Sequence, residues 1–302
     1  MTTWFDILPI WFVLPAAFVF GTVVGSFVNV LIYRIPEDIS VVTPPSMCPK
    51  CKHRLRAPDL VPLFSFLAAG RKCRYCGEPV SWRYFSIELL TGLVFMLTVW
   101  QFGFGANGML LCLLLASFIG SFIIDLGHFI IPDELNYFGV CVGLLRAAAG
   151  GHSAMDNPWG LPAFGLPPSL GASAIGAVGL AGLLFLLSKG GTLLFRKQVA
   201  EQQKQWDEQG LLDEGEELEA MGLGDVKLAA AMGANLGLVG GLVGLFVGVT
   251  LGAVVGILLK LSKRLRGHAI PFGPYLILGT LAALFWGPAF VTWYLSRMMG
   301  AG

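Results

Sequence analysis

The chain of 302 residues is 55% hydrophobic and only 13% charged, contains 40 glycines and has a mean hydropathy of +0.73. Soluble domains carry about 25% charged residues, so these figures exclude an ordinary soluble enzyme, a disordered chain and a coiled coil. The formal net charge of +1 calls for no strongly acidic or basic partner, and no nucleic-acid partner is expected.

Apolar windows of membrane-crossing length fall at about 11–32, 84–104, 108–125, 130–149, 171–194, 238–260 and 271–296, with a shorter Gly/Ala-rich one at 223–237. Backbone amides have no water partner in hydrocarbon, so the spans are expected to be helices. The expectation is an all-α polytopic membrane protein of about eight transmembrane helices. The first helix, within 1–32, has Asp6 and no basic residue ahead of it. It therefore reads as a permanent span with its N-terminus outside, and not as a cleaved signal. Residues 33–83 form a first polar excursion. Residues 84–302 form a core of about seven helices, interrupted by an irregular outer loop at 150–170 and a polar loop at 195–222. No fixed-period repeat is visible.

Within 33–83 stand two C-x-x-C pairs, Cys48-Pro-Lys-Cys51 and Cys73-Arg-Tyr-Cys76. Their spacing suits a four-cysteine structural zinc site, with Pro49, Gly77 and Pro79 favouring the turns. Such an ion has no open coordination position for catalysis, and its task is to fold a small polar loop. Free thiols and disulfides are the competing readings. Cys112 and Cys141 lie in apolar windows and read as buried small residues.

Ionisable residues inside apolar windows mark function. Glu88 lies early in the second window, Asp125 ends the third, Asp133 and Glu134 open the fourth, and Asp225 and Lys227 open the short sixth. Asp133 suits a helix first turn after Pro132, and Asp225 suits a helix N-cap. Asp125 fits neither, because the dipole at a helix C-terminus disfavours an anion. Gly222 and Gly224 before Asp225 allow irregular backbone and close approach of a substrate chain. Lys227 either pairs with a carboxylate or snorkels to the interface. Gly240, Gly244, Gly248, Gly252 and Gly256 recur at a spacing that lets helices approach closely. Pro271-Phe272-Gly273-Pro274 breaks helical regularity before the last window. His128 reads as a loop residue. The acidic run from Asp207 to Glu219 reads as a solvated loop, or alternatively as an attractor for a basic peptide.

Charge sets the orientation. Of the 20 Lys and Arg residues, all but Arg146 and Arg297 fall in or beside 33–83, 126–134, 195–222 and 261–270. These are the inner loops if the N-terminus is outside. Asp125, Asp133 and Asp225 then share one depth at the cytoplasmic ends of their helices. Two carboxylates brought together share a proton. One can then act as base on a water while the other acts as acid toward a carbonyl. This is aspartic peptidase chemistry.

The chain resembles the bacterial type IV prepilin peptidases (leader peptidase/N-methyltransferases), membrane aspartic peptidases with a G-x-G-D motif. The resemblance rests on Gly25-Ser26-Phe27-Val28-Asn29-Val30 with Tyr33-Arg34-Ile35-Pro36, the C-x-x-C pairs, and Glu88-Leu89-Leu90-Thr91-Gly92. It rests further on Asp125 through Ile131-Pro132-Asp133, Gly222-Leu223-Gly224-Asp225-Val226-Lys227, and Pro271-Phe272-Gly273-Pro274. It implies Asp125 and Asp225 as the catalytic pair and Cys48, Cys51, Cys73 and Cys76 as Zn2+ ligands. Gly222, Gly224, Lys227, Asp133, Glu88, Pro271 and Gly273 are taken as substrate-binding or supporting residues. The resemblance further implies prepilin and pseudopilin substrates in the bilayer of the inner membrane. Cleavage at the cytoplasmic face follows a short basic leader, and the new N-terminus, usually phenylalanine, is methylated from S-adenosylmethionine. The alternatives are a peptidase without methyl transfer and, in another class, a proton-coupled transporter. The transporter reading sits poorly with aspartates placed at one face and with no visible inverted repeat.

Overall fold

A computed structural model describes residues 9–150, 167–208, 221–261 and 271–298. The first eight residues, most of the outer loop at 150–170, the acidic run beyond Glu208, and Lys263, Arg264 and Arg266 lie outside the described residues. Among those described there is no strand, only two isolated bridges. The helices are α1 (Ile10–Arg34), α2 (Phe64–Ala68), α3 (Trp82–Phe102), α4 (Ala106–His128), α5 (Asp133–Ala149), α6 (Leu170–Leu194), α7 (Arg196–Glu208), α8 (Leu223–Leu261) and α9 (Gly273–Met298). Five of them, α1, α3, α4, α6 and α8, are long and apolar enough to cross a membrane. Eight crossings thus remain an expectation from hydropathy and charge. Large apolar side chains point outward, with Trp11 75%, Leu186 69% and Phe246 72% exposed. Water would penalise that surface and hydrocarbon would not.

The helix boundaries follow from local chemistry. The Ser81 side chain accepts the Arg83 N–H at the start of α3, and Ser169 accepts the Ala172 N–H at the start of α6. These are N-caps. Gly103, at φ 79°, stops α3. Phe129 takes the left-handed conformation at φ 56° and stops α4, so His128 is the last helical residue rather than a loop residue. Pro132 then precedes α5.

The chain divides into two compact units, α1–α5 and α6–α9. In the first, α1 and α3 pack at very short range. A Cβ added at Gly25 would stand 2.9 Å from the Glu88 Cα, and one at Gly92 would stand 2.7 Å from Thr22. Close contact of this kind replaces the hydrophobic drive that helices lack in lipid. Val28, Ile32, Ile87, Phe95, Cys112 and Ile124 form the core around it. Cys112 is fully buried, as expected, but Cys141 is exposed. Apolar surroundings of Cys141 are supplied by the outward face of α5 and not by the core.

In the second unit the glycine stripe has a specific partner. Gly248 faces the Tyr275 carbonyl of α9, where a Cβ would sit at 2.7 Å, and Gly252 faces the Tyr275 ring at 3.3 Å. The continuous helix α8 hides a break at Gly237 (φ 68°, ψ 179°). A Cβ on Gly241 would lie 3.6 Å from the Gly233 Cα. Eight residues of straight helix would separate them by about 12 Å. The chain therefore doubles back at Gly237, and 223–236 and 238–261 are two helices, as the hydropathy windows suggest. The segment 195–222, expected as a loop, begins with α7. Its Glu- and Gln-rich sequence is polar, but it contains strong helix formers and no Gly or Pro up to Glu208.

Candidate functional site

The segment between α1 and α3 folds as a lobe around the four cysteines. Arg34, at the end of α1, is buried and donates to the carbonyls of Ser40 (2.8 Å) and Pro44 (2.6 Å). It thereby fixes the path of the chain into the lobe. Each C-x-x-C pair then forms the same turn. The Lys52 N–H donates to the Cys48 carbonyl, as Gly77 N–H does to Cys73, both at 2.9 Å. The Cys48 N–H donates to His53, as Cys73 N–H does to Glu78. Lys52 and Gly77 both take positive φ, and the isolated bridges Met47–Arg54 and Lys72–Pro79 close both turns. The sequence, with Lys at one position and Gly at its equivalent, conceals this repeat.

The four sulfur atoms lie within 4.8 Å of one another, and Cys48 Sγ is 3.9 Å from Cys76 Sγ. A tetrahedral ion with Zn–S bonds of about 2.3 Å places sulfurs about 3.8 Å apart. The residues therefore fit the ion, and no cysteine is in a disulfide. Backbone N–H groups of Tyr75 and then Cys76 pull the Cys73 thiol down to about 7. Cys76 is pushed up to about 12: the Glu78 N–H lowers it, but burial and the crowding sulfurs of Cys73, Cys51 and Cys48 outweigh that. A cation bound among the four sulfurs would hold all of them as thiolates, which this crowding otherwise opposes.

The two turns are joined by side chains. His53 stacks on Tyr75 at 3.7 Å. The Tyr75 hydroxyl donates to Asp59 Oδ2 at 2.8 Å, the Arg56 N–H donates to the same oxygen at 3.1 Å, and Arg74 lies 3.4 Å from Oδ1. The Arg56 N–H and then the Tyr75 hydroxyl hold Asp59 below the usual carboxylate range. Asp59 carries no signal in the sequence, because its partners are gathered only when the lobe closes.

Between the lobe, α1 and α3 lies a cavity of about 570 Å³. Glu88 stands on its α3 side, 9% exposed, with Oε2 accepting the Leu63 N–H at 2.8 Å. Asn29, on the α1 side, donates to the carbonyls of Gly25 (3.3 Å) and Tyr84 (3.1 Å). Glu88 is thus placed beside the lobe.

Asp125 lies in the last turn of α4, 3% exposed, and its carbonyl accepts the Phe129 N–H that ends the helix. Asp133 is the first residue of α5 and half-buried. All three acidic residues, Glu88, Asp125 and Asp133, belong to the first unit. Asp225 belongs to the second. It is the third residue of α8, three positions past the N-cap position at Gly222, and its N–H donates to the Gly222 carbonyl at 3.2 Å. The Ser188 hydroxyl of α6 donates to the Met221 carbonyl at 2.9 Å and pins the start of this glycine segment. Gly224 and Lys227 are half-buried and Gly222 exposed. Pro271 precedes α9, Gly273 opens it, and the Phe272 carbonyl accepts the N–H groups of Tyr275 and Leu276.

Comparison with known proteins agrees with these features. Residues 19–102 match the model of the bacterial peptidase A24 N-terminal domain. Residues 109–257 match the type IV leader peptidase family. The chain is 32% identical to the prepilin leader peptidase/N-methyltransferase of Xanthomonas campestris, over 93% of this chain and 94% of that one. It is 31% identical to the protein of the same name from Aeromonas hydrophila, over 96% of each. The figure for Legionella pneumophila is 28%, again over 96% of each. No solved structure matches. The first matched segment contains the cysteine lobe of this chain and the second contains Asp125 and Asp225, and the chain belongs to the type IV leader peptidase family.

Proposed function

We infer that the protein cuts the basic leader from prepilins and pseudopilins at the cytoplasmic face of the inner membrane, and then methylates the exposed N-terminus. The observation that carries the reading is near-full-length similarity to proteins named prepilin leader peptidase/N-methyltransferase. Both Asp125 and Asp225 fall inside the family match at 109–257.

In the proposed peptidase reaction, Asp125 and Asp225 act together on one water. One carboxylate takes a proton as the water oxygen adds to the scissile carbonyl carbon. The other gives a proton to the carbonyl oxygen. Collapse of the tetrahedral carbon breaks the C–N bond, and the leaving nitrogen takes up the proton. Glycines 222 and 224 leave room for an extended peptide beside Asp225. Lys227, Asp133, Pro271 and Gly273 are supporting positions in the same reading. A Zn2+ ion held by Cys48, Cys51, Cys73 and Cys76 supplies structure to the lobe. S-adenosylmethionine supplies the methyl group.

The test uses purified protein with a prepilin in detergent. Asp125→Asn and Asp225→Asn, made singly, should each lower the cleavage rate by about 10²–10⁴-fold. Normal cleavage by either variant would remove that residue from the catalytic pair. Mass measurement of the product with and without S-adenosylmethionine separates a bifunctional enzyme from a peptidase alone.

A further inference from the structure

The cavity beneath the cysteine lobe is unexplained by peptide hydrolysis. At about 570 Å³ it is of ligand-binding size, and its two sides differ in chemistry. The lobe side carries the cations Lys52, Arg71, Lys72 and Arg74. The helix side is lined by Glu88 and Asn29, both buried.

Asn29 is 4% exposed. Its nitrogen is committed to two carbonyls, on Gly25 and Tyr84, which fixes the orientation of the amide. Its Oδ1 is buried and has no hydrogen-bond partner. A buried acceptor without a donor is costly and calls for an explanation, and this one belongs to a residue that lines the cavity. Glu88 is one helical turn beyond Tyr84 on α3, held by the Leu63 N–H and the Ser26 hydroxyl. Its geometry is set by these donors before any ligand enters.

Other titratable groups on the cavity are engaged or differently placed. Asp59 is bound by Arg56, Tyr75 and Arg74, and Glu78 lies in the second cysteine turn. Arg34 is committed to Ser40 and Pro44. Tyr33 and Tyr84 are the phenols of the helix side, and Cys48 and Cys73 are the thiols of the lobe side. Glu88 is therefore the carboxylate of the helix-built side.

We propose that Asn29 and Glu88 form the amine site of the methyl-transfer reaction. The α-ammonium of the cleaved pilin donates to Asn29 Oδ1 and to Glu88, and Glu88 takes the proton that must leave before nitrogen can attack. The nitrogen lone pair then forms the N–C bond to the methyl carbon as the methyl C–S bond breaks, its electron pair passing to sulfur. The positive charge passes from sulfur to the methylated ammonium, and nothing is oxidised or reduced. This inference rests on the methyl-transfer reading given above.

The test supplies pre-cut pilin with a free N-terminal amine and S-adenosylmethionine to the full-length protein, so that methylation is scored independently of cleavage. Glu88→Gln keeps an acceptor for Leu63. It should methylate at least tenfold more slowly at pH 7 and recover toward the unsubstituted rate at pH 9. An α-amino group of pKa about 7.7–8.0 sheds its proton to solvent over that range. Equilibrium binding gives a readout apart from activity. Phenylalaninamide should bind the unsubstituted protein and bind Glu88→Gln at least tenfold more weakly, whereas its N-acetyl derivative should bind neither. An unchanged rate at pH 7, an equal loss at pH 7 and 9, or equal binding of the acetylated probe would overturn the assignment. If the unsubstituted protein cuts prepilin yet never methylates the pre-cut pilin, the methyl-transfer reading itself fails. Loss confined to Glu88→Gln at both pH values leaves that reading standing and rejects only the amine site.

Discussion

Asp59 joins the Arg56 turn to the Arg74–Tyr75 turn, and its lowered pKa gives the joint a direction on the pH scale. A carboxyl held below its unfolded value of about 3.9 stabilises the fold above that pH. The contribution is lost as pH falls through the folded value. Asp59→Asn should therefore loosen the lobe at neutral pH, and the difference from the unsubstituted protein should close below about pH 4. Limited proteolysis of residues 33–83 across that range reads the effect. A difference that grows on acidification would contradict the assignment. The residue scale is also where sequence reading reached least far. Asp125 and Asp225 could be singled out because a charge in an apolar window is conspicuous. Asn29 has no conspicuous feature within Gly25–Val30, since its orphaned oxygen exists only after α1 and α3 have packed. Asp59 looks like any surface acid until Tyr75 and Arg74 fold onto it.

The paired cysteine turns are the element on which the lobe depends. Each offers two sulfurs, and neither has a hydrophobic core of its own. An ion that draws four sulfurs together supplies apparent folding energy of about 10–16 kcal/mol in small zinc modules. Metal analysis should find one zinc per chain, and Cys51→Ser should lower that content. A strong chelator should make residues 33–83 protease-sensitive while the apolar helices stay intact. A lobe that resists protease without metal would show that Asp59 and the His53–Tyr75 stack suffice. The elements themselves were mostly legible. Hydropathy placed the helices because long apolar runs can only be helices in lipid. The cysteine spacing exposed the four-sulfur cluster because ligand geometry constrains spacing directly. α7 escaped notice because a polar helix has no apolar face to announce it. The turn at Gly237 was hinted at by a short window, yet its mechanism is a single left-handed glycine.

At the scale of the molecule, charge is the organising quantity. The basic residues other than Arg146 and Arg297 cluster on the loops assigned to the cytoplasm, which sets orientation during insertion. A single reporter cysteine at Lys50, in a chain freed of its native cysteines, should react with an impermeant maleimide only from the cytoplasmic side. One at Gly105, between α3 and α4, should react only from the outside. Labelling of both from one side would reject the topology and with it the common depth of the aspartates.

The reversal at Gly237 bears on how this protein is made. Residues 223–236 span about 21 Å at 1.5 Å per residue, short of the roughly 30 Å of hydrocarbon. Such a segment is poorly recognised as it leaves the ribosome. Its successor, residues 238–261, is long enough to be accepted. The two are linked by one residue, so the shorter helix must enter the bilayer with the longer as a preformed hairpin. The glycine motif at 222–225 is therefore expected to be carried into place during insertion by the longer helix that follows it.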